Sequence, residues 1–389
     1  MGVTAPAGFL AAGVAAGLKP AGALDLALVV NDGPRAAAAG VFTANRVQAA
    51  PVRWSRQVLG TGAVRVVVLN SGGANACTGP AGFQDTHATA EHAATAVVTA
   101  TGLDLAAGDV AVCSTGLIGV RLPMPALLSG VDSAATALSR AGGADAARAI
   151  MTTDAVPKTT VVSGREWTVG GMAKGAGMLA PALATMLVVL TTDAVAGPAA
   201  LDAALRAATR VSFDRVDSDG AMSTNDTVLL LASGTAGVTP SRSELTDAVT
   251  RACVDLAAQL LADAEGATKQ VAIEVTGAAS QDDAVAVGRA VARNNLVKTA
   301  LFGQDANWGR ILAAVGTTGA AFDPDELDVA INGVWVCRAG AAAADRSTVD
   351  LSGPGVAITV ELHAGTSRAT VWTNDLSHAY VHENSAYPS

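Results

Sequence analysis

The stretch Lys174-Gly175-Ala176-Gly177-Met178-Leu179-Ala180-Pro181-Ala182-Leu183-Ala184-Thr185-Met186-Leu187 organises the reading of the whole chain. A lysine and two glycines lead into small residues around Ala184, and a β-branched hydroxyl residue, Thr185, opens the apolar run Met186 to Leu190. That run reads as a buried strand, and the small residues before it let the backbone bend. The pattern points to self-cleavage of the Ala184-Thr185 bond. A threonine hydroxyl is a poor nucleophile, whereas an N-terminal amine, with an ordinary pKa of about 7.7–8.0, takes its proton near neutral pH. Before the cut the same hydroxyl can attack the Ala184 carbonyl, and water hydrolyses the resulting ester. For an isolated Ala-Thr pair, a plain hydroxyl at the mouth of a strand is the better reading, so the rest of the chain decides.

At 389 residues the chain can bury a large core, as two domains or one large α/β unit. Half of the residues are hydrophobic but only 3% are aromatic, so the core must be built from Ala, Val and Leu. Apolar stretches such as Met178 to Leu190 are broken by Pro or Thr and fall short of the roughly 18–20 residues of a membrane span. No basic region precedes the apolar Gly8 to Gly17, so no signal peptide is read and a cytoplasmic location is the default. A net charge of −9 argues against nucleic acid or anionic membrane as partner and leaves a small molecule as substrate. Cys77, Cys113, Cys253 and Cys337 form no CxxC pair, and His378 and His382 lack an HExxH pattern, so neither disulfides nor a metal site are expected.

Strands are read at Leu26 to Val30, Val64 to Leu69, Val110 to Cys113, Trp167 to Val169, Met186 to Leu190, Val228 to Leu231, Leu327 to Ile331, Val356 to Leu362 and Ala369 to Trp372. Helices are read from about Asp85 to Thr101, at Ala134 to Arg140 and Ala144 to Ile150, along Leu201, Leu205 and Ala208, and from Ser280 through Val291. Ser241 and Glu244 form a capping box for a further helix that stops near Gly266. That helix ends in Asp263 and Glu265, the wrong sign for the negative end of a helix dipole. Either the placement is chance, or a carboxylate waits there for an ammonium group. The chain closes in a polar, aromatic tail from Thr373 to Ser389. Mixed α/β layers with a strand-rich core, sandwiched by helices, fit this order.

Gly175-x-Gly177-x-x-Ala180 matches a dinucleotide fingerprint but leaves no room for a crossover helix before Met186. Asp217-Ser218-Asp219-Gly220 has its glycine too early for a calcium loop and reads as a turn. Ser223 to Thr227 is dense in hydrogen-bonding groups, either satisfying its own loop or supporting a site. Ser114-Thr115-Gly116, after a strand, is a turn by itself. Beside a nucleophile, its Thr115 hydroxyl and Gly116 N–H become oxyanion donors, worth about 10²–10³ in rate.

Together these residues resemble the ornithine acetyltransferase (glutamate N-acetyltransferase) family of arginine biosynthesis. The resemblance runs through Pro6-x-Gly8-Phe9, Ala15-Ala16-Gly17-Leu18-Lys19, Asn70-Ser71-Gly72-x-Ala74-Asn75-Ala76-Cys77-Thr78-Gly79, Ser114-Thr115-Gly116-x-Ile118-Gly119 and Met151-Thr152-Thr153-Asp154. It continues through Lys174 to Asp193, Asp217 to Thr227, Asn374-Asp375-Leu376-Ser377 and Tyr380 to Tyr387. It implies an αββα self-processing fold, cleavage at Ala184-Thr185 into an α chain of residues 1–184 and a β chain of 185–389, and an α2β2 assembly. It also implies Thr185 as nucleophile, Thr115 and Gly116 as the oxyanion hole, and substrate contacts from Thr152, Lys174, Thr185, Glu265, Asn384 and Ser389. Ser389 stands where other members often have Thr. The implied reaction moves acetyl from N2-acetylornithine to glutamate by ping-pong, with no metal or bound cofactor; some members also take acetyl-CoA as donor. The residues leave an N-terminal-nucleophile amidase or aminopeptidase of related fold as the alternative.

Overall fold

Among the described residues, five strands of five or six residues are buried at every position: Leu26–Asn31, Val66–Asn70, Val110–Ser114, Leu187–Thr192 and Thr227–Ala232. Successive side chains of a strand point to opposite faces, so such segments must be covered on both sides. The computed structural model, which describes residues 1–178 and 186–386, covers them by stacking two sheets and coating each outer face with helices.

The first sheet has the order β1-β2-β4-β5, with β1 Phe9–Val14, β2 Leu26–Asn31, β4 Val66–Asn70 and β5 Val110–Ser114. The second has the order β3-β9-β8-β7-β6, with β3 Ala37–Phe42, β6 Lys158–Ser163, β7 Thr168–Lys174, β8 Leu187–Thr192 and β9 Thr227–Ala232. Leu187 and Val189 of β8 join Leu229 and Leu231 of β9 in the core between the sheets, while Val188, Leu190, Val228 and Leu230 face the opposite way. There they meet α5 (Pro198–Val211) and α6 (Arg242–Ala262). On the far side, α1 (Ala50–Val58), α2 (Gly79–Thr101), α3 (Met124–Thr136) and α4 (Gly143–Ala149) pack on the first sheet. This is the expected strand-rich core sandwiched by helices.

A third sheet follows, in the order β13-β12-β11-β14-β10-β15, with its own apolar core. Its members are β10 Gln270–Ala278, β11 Asp328–Ile331, β12 Val334–Arg338, β13 Ala341–Ala342, β14 Gly355–Glu361 and β15 Ser367–Asn374. Here burial alternates, as along Gly355–Glu361, because α7 (Gln281–Ala292) covers one face. α8 (Asn295–Phe302) and α9 (Trp308–Val315) complete that side, and α10 (His378–Ala386) closes the described chain.

Several boundaries differ from the sequence reading. α3 spans Met124–Thr136 rather than Ala134 to Arg140, and α2 begins at Gly79 rather than Asp85. In both, a proline occupies the first turn, where its missing N–H has no helical partner to lose. The polar, aromatic tail, for which no element is read from sequence, contains α10. β1, β3, β6, β10, β12 and β13 have no counterpart among the strands expected from sequence. The first two are rich in Ala and Gly, which disfavour strands, and are held by pairing with β2 and β9. Ala184, Thr185 and Ser389 lie outside the described residues.

Candidate active site

β7 ends at Lys174, which is paired in register with Leu187 of β8. The two-residue period puts Lys174 on the same face as Met172, toward the core between the sheets. Its side chain is therefore carried to the end of the first sheet, where Lys174 Nζ donates to Thr115 Oγ1 at 3.4 Å. Burial lowers the Lys174 pKa, and the nearby Asp154 carboxylate works against that shift.

Thr115 follows β5 in a turn built against the turn after β4. Its N–H donates to the Asn70 carbonyl and its own carbonyl accepts from Gly73, both at 3.0 Å. Gly116 has φ +126°, and a Cβ on it would stand 2.8 Å from the Gly73 nitrogen, so the position accepts only glycine. Among the described residues no carbonyl accepts the Gly116 N–H. Asn225, just before β9, ties the two turns together by donating to the Ala74 carbonyl at 2.6 Å and the Ser114 carbonyl at 2.8 Å. Ser223, Thr224 and Asn225 also line the cavity, so this polar run supports the site rather than only its own loop.

The far wall comes from the loop after α4 and the end of α6. Asp154 Oδ1 accepts from Lys158 Nζ and from the Gly175 N–H, each at 2.6 Å, while Oδ2 accepts the Thr152 N–H at 2.9 Å. Lys158 is fully buried and makes a second 2.6 Å ion pair with Asp263. Burial would raise the Asp154 pKa, but Lys174, Lys158 and the Gly175 N–H outweigh it and hold the carboxyl at about 2. Asp263 thus does meet an ammonium group, that of Lys158. Glu265 instead faces the cavity, accepting from Thr153 Oγ1 at 2.7 Å and from Asn384 Nδ2 on α10 at 2.9 Å. Gly177 lies so close that a Cβ would meet the Glu265 carboxylate at 2.6 Å.

One cavity consequently collects Thr115, Gly116, Thr152, Lys174, Glu265 and Asn384 from five separate parts of the chain. Thr152 and Thr153 both line it, and it is the Thr153 hydroxyl that reaches Glu265. The sequence reading missed Lys158, which nothing in its local pattern marks, and the individual part played by Asp154 within the Met151-to-Asp154 motif. It also missed Asp25. That buried carboxylate accepts the N–H groups of Ala16, Leu18 and Lys19 at 2.7, 2.6 and 2.9 Å, and Lys19 Nζ in turn donates to the Met151 carbonyl. Asp217-Ser218-Asp219-Gly220 is a turn, as read, and its Asp219 accepts the Met178 N–H at 2.6 Å. A larger cavity of about 490 Å³ between α6 and the third sheet, lined by Val216, Val254 and Trp372 among others, presents no titratable side chain.

The ArgJ family model matches residues 10–389. The chain belongs to the ArgJ family. It is 66% identical over 389 residues to the arginine biosynthesis bifunctional protein ArgJ of Streptomyces avermitilis, with 100% of each chain covered. The corresponding protein of Streptomyces coelicolor is 65% identical, again over 100% of each chain. A solved ornithine acetyltransferase from Mycobacterium tuberculosis, crystallised with ornithine, is 63% identical, covering 48% of this chain and 96% of that chain with a TM-score of 0.46. Membership of the ArgJ family makes the chain an acyltransferase of arginine biosynthesis.

Proposed function

We propose that this protein transfers the acetyl group of N2-acetyl-L-ornithine to L-glutamate, through an acetyl ester on Thr185, after cleaving itself at Ala184-Thr185. The reading is carried by one cavity that gathers two oxyanion donors, a buried ammonium group, a carboxylate and an amide, in a chain of the ArgJ family.

Thr185 Oγ bonds to the acetyl carbon and its proton passes to the α-amine of the same residue. The Thr115 hydroxyl and the Gly116 N–H hold the oxygen that becomes negative. The carbon–nitrogen bond then breaks, the departing ornithine amine takes the proton, and the amine of glutamate attacks the ester. Lys174 suits the α-carboxylate of the substrate, and Glu265 the side-chain ammonium of ornithine. Thr152, Asn384 and Ser389 complete the contacts. Acetyl-CoA is a second donor chemistry for the same acyl-enzyme.

The cut leaves an α chain of 1–184 and a β chain of 185–389 that share one sheet, because β7 before the break pairs with β8 after it. We assign the assembly as α2β2 and the location as cytoplasmic; no described helix is long and apolar enough to cross a membrane.

Thr185→Ala tests the core of this reading. Intact mass should show only the full-length chain, and acetyl exchange between ornithine and glutamate should vanish. A variant that still exchanged acetyl would remove Thr185 as nucleophile. Release of acetate at the same rate with and without glutamate would favour the amidase alternative.

A further inference from the structure

The motif from Asn70 to Gly79 supplies no side chain to the steps above. The structure lays it against the turn that carries the oxyanion donors. Thr115 N–H donates to the Asn70 carbonyl, Gly73 N–H to the Thr115 carbonyl, Ala74 N–H to the Leu117 carbonyl and Gly119 N–H to the Ala76 carbonyl, at 3.0, 3.0, 3.0 and 2.9 Å. Asn70 Nδ2 closes its own turn by donating to the Gly73 carbonyl at 3.0 Å. A peptide group is planar and trans, so its C=O and N–H point opposite ways. Anchoring the Thr115 carbonyl on Gly73 therefore turns the Gly116 N–H away from the motif, and Gly116 lines the cavity.

Asn225 clamps this pair of turns from a third segment. Its side chain is buried, and its amide nitrogen carries two protons. One goes to the Ala74 carbonyl at 2.6 Å and the other to the Ser114 carbonyl at 2.8 Å. Oδ1 accepts the Thr224 hydroxyl at 2.6 Å, which sets the end of the amide that faces the turns. The backbone of Asn225 is fixed as well. Its N–H donates to Ser223 Oγ at 3.1 Å, and its carbonyl accepts from Oγ1 of Thr227, the first residue of β9, at 3.0 Å. The Ser114-Thr115 peptide is thus held at both ends, its carbonyl by Asn225 and its N–H by Asn70. Asn225 lines the cavity but has no side-chain proton left to donate to a substrate.

We propose that Asn225 is a positioning residue for the oxyanion hole: through the Ser114 and Ala74 carbonyls it holds Thr115 and Gly116 where the negative oxygen forms. This rests on the reading of Thr115 and Gly116 as the oxyanion donors. The hole is then built from both halves of the chain, with its donors before the cleavage point and the clamp that aims them after it. Donors fixed in direction beforehand favour the transition state over the bound substrate. Loosening the clamp therefore lowers the rate and leaves binding alone.

Asn225→Ala removes both donors. Measured per cut chain, as counted by intact mass, its kcat for acetyl transfer from acetylornithine to glutamate should fall about tenfold to a hundredfold, less than for outright deletion of an oxyanion donor. KM for acetylornithine should stay within about twofold of the parent's. Hydrolysis of an activated aryl acetate, which forms the same oxyanion without an ornithine part, should slow by a similar factor. A kcat equal to the parent's in a variant that is merely less stable to heat overturns the proposal, and so does a rise in KM at constant kcat. If Asn225→Ala does not fold or does not cut itself, Thr224→Val decides. It keeps the clamp but frees the amide to turn, and a several-fold loss of kcat at unchanged KM is expected. An unchanged kcat there, or a folded Thr224→Val that stays uncut, overturns the proposal. Failure of the wider reading looks different. A parent that exchanges no acetyl between ornithine and glutamate, yet hydrolyses the aryl acetate in an Asn225-dependent way, removes the substrates and keeps the clamp; a parent inert to both removes both.

Discussion

Asp154 and Asp226 are both buried carboxyl groups within the field of Lys174, one on the loop side of the cavity and one at the entrance to β9. Asp154 accepts from Lys158, from the Gly175 N–H and from the Thr152 N–H, and is held at about 2. Asp226 accepts the Met186 N–H on Oδ1 and is pushed up by burial. Burial is the largest influence on each, and opposes charge in both. What separates them is a second cation and a complete set of donors. The first arrangement makes a fixed anion that shapes a wall; the second leaves a buried carboxyl whose charged form is disfavoured.

Removing the second cation should collapse the difference most strongly. Lys158→Met leaves the buried Asp154 and the partly buried Asp263 beside an apolar chain, and a destabilisation of about 3–5 kcal/mol is expected from urea unfolding at neutral pH. Unchanged stability would mean that Asp154 owes its anionic form to Lys174 alone.

Asp154→Asn is expected to cost about 2 kcal/mol at neutral pH, the equivalent of its pKa depression. The sign follows from linkage. The folded pKa lies below the unfolded value of about 3.9, so the contribution is present above that value and fades as pH falls toward about 2. Unfolding measured across this interval should show the parent and variant converging. A difference independent of pH would assign the loss to packing.

The smallest effect is expected at Thr153→Val, which removes one of the two side-chain donors to Glu265 among the described residues and leaves Asn384 in place. A loss of about 1 kcal/mol corresponds to a several-fold rise in KM for acetylornithine, with kcat nearly unchanged and cleavage complete. A fall in kcat without a change in KM would place Thr153 with the reacting atoms instead.

Much of this wall was legible before folding was considered. The acidic end of α6 breaks the dipole rule, and both of its carboxylates turn out to have partners: Lys158 for Asp263, and Thr153 with Asn384 for Glu265. Ser114-Thr115-Gly116 was recognisable because a glycine follows a hydroxyl at the end of an apolar strand. The partners were not legible. Lys158 reads as an ordinary surface lysine at the start of a short polar stretch, and its burial depends on β6 pairing with β7 beside the end of α6. Asp226 sits in a polar run where any carboxylate could be solvated. Only the packing of β8 against β9 removes it from water.

By itself, the sequence determined the two-sided apolar strands and hence the layered α/β core, the glycine at 116, the family, and the chemical types gathered for acyl transfer. These follow from side-chain periodicity and residue chemistry, which act over a few residues. The tertiary structure alone decided which of the charged groups are buried together, that Lys174 ends a strand instead of leading a loop, and that the tail returns as α10 to meet Glu265. Those outcomes depend on desolvation and on contacts between segments as far apart as Glu265 and Asn384, and no local pattern carries that information.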